Sequence, residues 1–357
     1  MMNNTIKLGN FISEYSVRNR AGDDIPVYSV TNKEGFCRDY FSKDVASQDR
    51  STYKIVPRGC FAYNPSRINV GSVDWQRKED RVIVSPLYVV FSVSKGLDQQ
   101  YLYYYLKSEK CLYYIKELAS GSVRDNLKLS MLKEFTIPNI TLEEQRKAVM
   151  VLEQTDRLIA LQERQMTVLD ELVKSRFVEM FGTYPNNPMK WETGRIRVIV
   201  EDVRYGSSRP AVEGGKYPYL RMNNITYGGE LDLTDTKHID VPESELEKCT
   251  VRRGDVLFNR TNSKELVGKT CVYNRDDMMV LAGFVIRVRV TERVLPEFLS
   301  AFLNTDFSKQ MLLGMCKAAI GQANINAQEL QDIGLYLPPV ELQYQFVRFK
   351  AEVDKSK

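Results

Sequence analysis

Hydrophobic and polar positions along the chain fall into the same order twice. An apolar run from Val82 to Val93 is followed by Tyr101-Leu102 and Leu106 at helical spacing, and a second run from Met279 to Val290 by Phe298-Leu299 and Leu303. Upstream, Val56-Pro57-Arg58-Gly59-Cys60-Phe61-Ala62-Tyr63-Asn64 lines up with Val251-Arg252-Arg253-Gly254-Asp255-Val256-Leu257-Phe258-Asn259. Downstream, Leu132-Lys133-Glu134-Phe135 lines up with Leu330-Gln331-Asp332-Ile333. The offset stays near 195 to 198 across all blocks. Order and offset together identify two copies of one unit. Each copy reads as an irregular opening, short strands with Gly and Asn turns, a helix, a Gly-containing loop, a short helix and an extended strand.

Between the copies the pattern changes. From Leu142 to Phe181 there is neither Pro nor Gly, and Thr141 with Glu144 forms a capping box at the start. Leu152, Ile159, Met166, Val173 and Met180 recur at one heptad position, with Val149, Leu169 and Phe177 beside them. A helix of about 39 residues at ~1.5 Å each is roughly 58 Å long, more than a small domain is wide, so its stripe predicts helix pairing instead of burial in one core. Gly182 to Pro188 stops this helix, and copy two opens at Trp191. The predicted segmentation is residues 1–141, a central helix 142–182, a linker and second copy 183–339, and a much shorter helix over 340–357.

Composition narrows the function classes. The 43% hydrophobic and 27% charged residues are those of a soluble globular protein, with no run approaching a membrane span and no signal-peptide pattern at the start, so the expected location is cytoplasmic. Six scattered cysteines with no CxxC pair read as reduced thiols, and a single histidine, His238, argues against His-based metal or triad chemistry; no metal site is expected. A net charge of +4 decides little by itself.

The turns between predicted strands carry the candidate chemistry. Arg suits guanine edges and Asn or Gln suits adenine edges, while Lys, Ser and Thr hold phosphates. Copy one offers Arg18, Asn19 and Arg20; Asn64, Ser66, Arg67 and Asn69; and Arg124 and Asn126. Copy two offers Ser207, Ser208 and Arg209; Asn223 and Asn224; Asn259, Arg260, Asn262 and Lys264; and Gln322 and Asn324. For any one of these, an ordinary solvated turn explains the residue as well. The set, displayed twice at matching places with divergent side chains, favours contact with bases. Tyr101 to Tyr105 resemble a base-stacking platform, but the helical spacing of Leu102, Leu106 and Ile115 reads as packing.

The order of parts resembles the specificity subunit of type I restriction–modification systems. The resemblance rests on Phe135-Thr136-Ile137-Pro138-Asn139-Ile140-Thr141-Leu142-Glu143-Glu144-Gln145 and on Leu335-Tyr336-Leu337-Pro338-Pro339-Val340-Glu341-Leu342-Gln343. It rests also on the two Arg-Gly strands and on Gly206-Ser207-Ser208-Arg209-Pro210, which looks like the family's Gly-Lys-Thr-Pro. It implies an α+β fold of two target-recognition domains joined by long conserved helices that pair antiparallel. The implied role is non-catalytic reading of a bipartite double-stranded DNA target, with the helices setting the spacer and docking two methyltransferase subunits. The partners would use S-adenosylmethionine, and restriction/translocase subunits ATP and Mg²⁺. The implied pairing residues are Leu152, Ile159, Met166, Leu169, Val173 and Phe177. Family members usually carry a second helix nearly as long as the first, so here self-association through the helices is a further expectation.

Other functions fit the residues less well. An adenine methyltransferase needs a Gly-rich cofactor loop and an Asn/Asp-Pro-Pro-Tyr/Phe element, whereas Asn64-Pro65-Ser66-Arg67 has only its first half. Asp202 and Glu213 lack the Asp…Glu-x-Lys core of a nuclease, and Gly268-Lys269-Thr270 lacks the upstream glycine of a P-loop. A DNA mimic should be strongly acidic. A protein-binding scaffold of the same architecture remains the alternative.

Overall fold

The structure, a computed structural model, describes residues 4–38, 50–119, 126–263, 266–316 and 323–357. It divides into two compact units, residues 1–160 and 161–357, and the division falls inside the long helix that the sequence pattern treats as its own segment.

In the first unit, strand Thr5–Lys7 pairs antiparallel with Thr136–Pro138, so the unit's first and last strands close on each other. The main sheet runs in the order Ile12–Glu14, Val89–Val93, Phe61–Tyr63, Val73–Trp75. A second small sheet pairs Lys54–Pro57 with Arg81–Val84. Helices α1 (Gln99–Lys107), α2 (Glu109–Ala119) and α3 (Leu129–Lys133) follow. Leu102, Leu106 and Ile115 are fully buried beside Phe61, Tyr63 and Phe91, so the apolar stripe of these helices covers the main sheet. α4 then runs unbroken over Leu142–Phe181. Its capping box is present: Thr141 N–H donates to Glu144 Oε2 at 2.7 Å and Glu144 N–H to Thr141 Oγ1 at 3.3 Å.

The second unit repeats this plan. Strand Glu192–Arg195 pairs with Gly334–Leu337, and the main sheet has the order Val200–Tyr205, Val285–Val290, Val256–Asn259, Thr270–Val272. Register repeats as well. Phe61 faces Phe91 and Trp75, and its equivalent Val256 faces Val288 and Val272. Gly59 and Gly254 sit in the same turn with φ of 88° and 89°, a left-handed conformation that explains the glycine after each arginine. Helices α5 (Glu243–Cys249), α6 (Pro296–Asn304), α7 (Asp306–Met315), α8 (Ala327–Gln331) and α9 (Val340–Lys355) complete the unit.

The two Pro…Gln motifs have a physical cause. Gln145 is buried; its Oε1 accepts from Asp98 N–H at 2.9 Å, and its Nε2 donates to the carbonyls of Gly96 and Ile140. Gln343 does the same with Leu295 N–H, Arg293 O and Pro338 O. Each glutamine therefore ties the first turn of a long helix to the loop that starts the sheet-covering helix. Three backbone groups in each unit have their partner in one side chain.

Helix pairing occurs within the second unit. α9 runs antiparallel to the last turns of α4: Phe346 packs on Phe177 and Phe181 at ring distances of 5.2 and 5.7 Å, and Lys357 Nζ meets Asp170 at 2.6 Å. Phe298 of α6 completes this aromatic cluster. Of the stripe expected to pair, Phe177 is fully buried, Val173 packs against the core, and Met166 and Leu169 are half-buried. Leu152 and Ile159 correct the expectation, being 39% and 53% exposed. Along α4 (40 residues), α9 (16 residues, ~24 Å at 1.5 Å each) packs back only as far as Asp170, so positions before it have no described helix of this unit beside them. Met150, Val151, Leu158, Leu161, Val168 and Leu172 are exposed on the same stretch.

Candidate nucleic-acid interface

One end of each main sheet gathers the loops that the sequence treats as separate. In the second unit this end lies where Val200–Tyr205 finishes, Val285–Val290 begins and Val256–Asn259 leaves the sheet. Asn259 N–H donates to Lys269 O at 2.8 Å, closing the loop between them. In the first unit Asn64 N–H donates to Ser72 O at 3.2 Å, closing a loop two residues shorter. A second loop is tied alongside in both: Ile325 N–H donates to Arg260 O at 2.9 Å, and Leu127 N–H to Pro65 O at 3.2 Å. In the second unit the tie extends to a ribbon, Thr261–Asn262 against Ala323–Asn324, with Thr261 Oγ1 donating to Asn324 Oδ1 at 2.9 Å.

Arg260 stands at the centre of this end. Its guanidinium lies over the Tyr205 ring at 4.8 Å, a cation–π contact that holds the fork before any ligand arrives. Tyr205 is fixed in turn, its hydroxyl accepting from Ala327 N–H at 2.8 Å. The Gly206 turn packs beside them. A Cβ on Gly206 would lie 2.1 Å from Leu281 O, so only glycine allows the approach. Ser208 is exposed there, and Arg209 is paired with Glu245 at 2.8 Å, a hydrogen bond that holds the Glu245 carboxyl below its usual range. Asn262 is half-buried and Asn324 exposed.

The first unit presents Ser66, Arg67 and Asn126 at the equivalent end, all exposed, with Asn69 half-buried. Asn64 Oδ1 accepts from Ser66 N–H and Oγ, so that amide shapes the turn. Arg67 makes no ion pair with a described residue. Arg18 and Arg20 are exposed on a separate turn, and Asn223 on a separate 3-10 turn of the second unit.

Several of the expected base-reading residues are instead part of the frame. Asn19 is buried, donating to Asp23 O and accepting from Asp23 N–H. Asn224 is buried between Arg221 N–H, Asp232 O and Asp235 O. Asn259 is fully buried with its Nδ2 on Leu266 O, and Ser207 is buried with its Oγ accepting from Arg209 N–H. Each holds its own turn and has no face for a base edge. Arg124, Lys264 and Gln322 lie outside the described residues.

The described residues named for the competing chemistries are held by the frame. Lys269 is buried with its Nζ on Met222 O, away from any phosphate role, and Asp202 is held by Arg204 and Arg287. Among the described residues no group of three or more His, Cys, Asp or Glu side chains is placed to hold a metal, and all six cysteines are buried. His238 is exposed in the strand Lys237–Ile239. No helix among the described residues is long and apolar enough to cross a membrane.

Geometry thus defines a duplicated α+β unit that displays two joined loops at one sheet end, each unit leading into a helix, α4 or α9. The chain belongs to the family described as type I restriction modification DNA specificity domain, whose profile matches residues 7–171 and 188–356. It is similar to the type I restriction enzyme EcoKI specificity subunit of Escherichia coli K12, 26% identical over 253 residues covering 66% of this chain and 54% of that one. It is also similar to the type I restriction enzyme MjaIX specificity subunit of Methanocaldococcus jannaschii, 31% identical over 160 residues covering 39% and 37%. The chain spans about half or less of the length of these curated relatives. A solved chain from the type I R-M system, described under complex assembly and conformational transition, shares the fold with a TM-score of 0.57 at 17% identity, over 99% of this chain and 90% of that one.

Proposed function

We propose that this chain is the non-catalytic specificity component of a type I restriction–modification complex in the cytoplasm, each unit reading one half of a bipartite duplex target. The observation that carries the reading is the paired-loop end of each sheet: the same backbone hydrogen bonds join two loops in both units, while the exposed side chains on them differ. A rigid frame with variable polar loops is what two different half-sites require. Ser66, Arg67 and Asn126 would read one half; Arg260, Asn262 and Asn324, with Ser208 nearby, the other. Arg260 and Arg67 are matched to guanine O6 and N7, and the exposed Asn side chains to adenine, at ~1–3 kcal/mol of discrimination per bidentate pair. Arg18, Arg20 and Asn223, on turns of their own, are suited to phosphates, as is Arg209 beside the second unit's end, where Glu245 already engages it.

The helices carry the assembly. α4 fixes the spacer between half-sites, and its exposed apolar stretch from Met150 to Leu172 is the surface for methyltransferase subunits, two being expected. Those partners supply S-adenosylmethionine chemistry, and restriction subunits ATP and Mg²⁺.

Co-expression with the methyltransferase subunit of the same system, followed by mapping of methylated adenines in host DNA, tests this. A two-part motif with a fixed gap is the expected outcome. No methylation, with a methyltransferase proven active beside another specificity subunit, contradicts it and leaves the scaffold. Removing one heptad inside residues 152–173 should change the permitted gap or abolish modification. An unchanged gap with full activity removes the spacer role.

A further inference from the structure

Both units expose one large apolar side chain at the same point of the loop-bearing end. In the first unit the turn Ser85-Pro86-Leu87-Tyr88 joins Arg81–Val84 to Val89–Val93; in the second, Ala282-Gly283-Phe284 joins Met279–Leu281 to Val285–Val290. Leu87 is 79% exposed and Phe284 52%. Within residues 82–91 Leu87 is the one exposed residue, and within 279–288 Phe284 is. A single exposed leucine or phenylalanine needs no explanation. The same position left bare twice, in two segments whose other apolar residues are buried or half-buried, needs one.

Placement supplies it. Arg260 N–H donates to Phe284 O at 3.0 Å, so Phe284 stands in register with the residue best built to meet a guanine edge. Gly283 N–H donates to Ser207 O at 2.7 Å, bringing the Gly206 turn to the other side. In the first unit the pairing of Tyr63 with Val89 carries the two strands on toward Pro65 and Leu87, next to Ser66 and Arg67. Each apolar side chain is thus flanked by hydrogen-bonding loops and shielded by none of them. In the major groove the one apolar feature of a base pair is the thymine C5-methyl group, and Phe and aliphatic side chains are its partners.

We infer that Leu87 and Phe284 each pack on a thymine methyl group, one in each half-site, and so contribute to sequence choice. This rests on the DNA-reading role proposed above. The test uses the full chain purified with its methyltransferase subunit and a duplex selected from a random pool by repeated binding. Every thymine in that duplex is replaced in turn by uracil, which removes only the methyl. One thymine in each half should show a binding loss of about three- to five-fold on replacement, the worth of one buried methyl. Phe284→Ala should erase that loss in one half and Leu87→Ala in the other, while Phe284→Leu and Leu87→Met keep it. Uracil tolerated throughout, or a loss that survives both alanine variants, overturns the inference while specific binding stands. Alanine variants that lose the methyltransferase subunit mark a protein contact and overturn it as well. A pool from which no duplex is enriched overturns the DNA-reading role and this inference with it.

Discussion

Gln145 and Gln343 make the same three hydrogen bonds at the same place in the two units, whereas the loops after Asn64 and Asn259 share their closing bond and little of their surface chemistry. The frame is constrained because burial leaves it no choice: a buried N–H or C=O without a partner costs ~1–3 kcal/mol. Loop side chains in solvent carry no such obligation. Duplication therefore preserves the frame and frees the loops, which is the division of labour a bipartite reader needs.

The equivalence of the two glutamines makes the largest prediction. Gln145→Leu and Gln343→Leu each strand one N–H and two carbonyls, and each should cost its own unit about 2–4 kcal/mol. Native-state hydrogen exchange should show lost protection in the unit carrying the substitution. Unequal costs would mean that the two frames share geometry but not energetics.

A smaller effect separates the units. Lys309 of α7 stands where the first unit has Leu112 of α2, with its Nζ on Gly268 O at 2.8 Å and 5.3 Å from the Tyr227 ring. Desolvation, and then the neighbouring Lys174 and Lys269, push its ammonium down to about 8. An unfolded lysine titrates near ~10.4, so between those values the unfolded chain binds more protons and stability rises with pH. At neutral pH the buried charge costs stability. Lys309→Leu, adopting the first unit's solution, should raise the second unit's unfolding free energy at pH 7 by on the order of 1 kcal/mol, after allowance for residual solvent screening, read from its denaturant midpoint. The gain should shrink toward pH 10. A loss at pH 7 would show that the bond to Gly268 O outweighs the desolvation.

Much of the fold was legible in the sequence. The offset of the repeated blocks reproduces the strand register, and the Pro- and Gly-free run with its Thr141–Glu144 cap gives α4. Side-chain roles were less so. Asparagine suits both a turn that needs its own amide and a base edge that needs a free one, so buried Asn19, Asn224 and Asn259 read like exposed Asn126 and Asn324 until burial separates them. Leu87 and Phe284 were hidden inside apolar runs that read as continuous strand. The turn within each run turns one residue outward, and only alignment of the two copies would have drawn attention to it. The union of the Arg260 and Asn324 loops depends on long-range backbone pairing that local pattern does not record. A heptad stripe on α4 alone does not reveal which of its turns α9 covers, and only those from Asp170 onward are covered.

The central claim is that each unit reads its own half-site from a shared frame. Its most direct test is the methylation map of the complex carrying Arg260→Ala, set beside that of the wild type. The expected result is a bipartite motif relaxed in one half, with the other half and the gap unchanged, and Arg67→Ala relaxing the opposite half. A motif altered in both halves by either variant, or in neither by both, would contradict it.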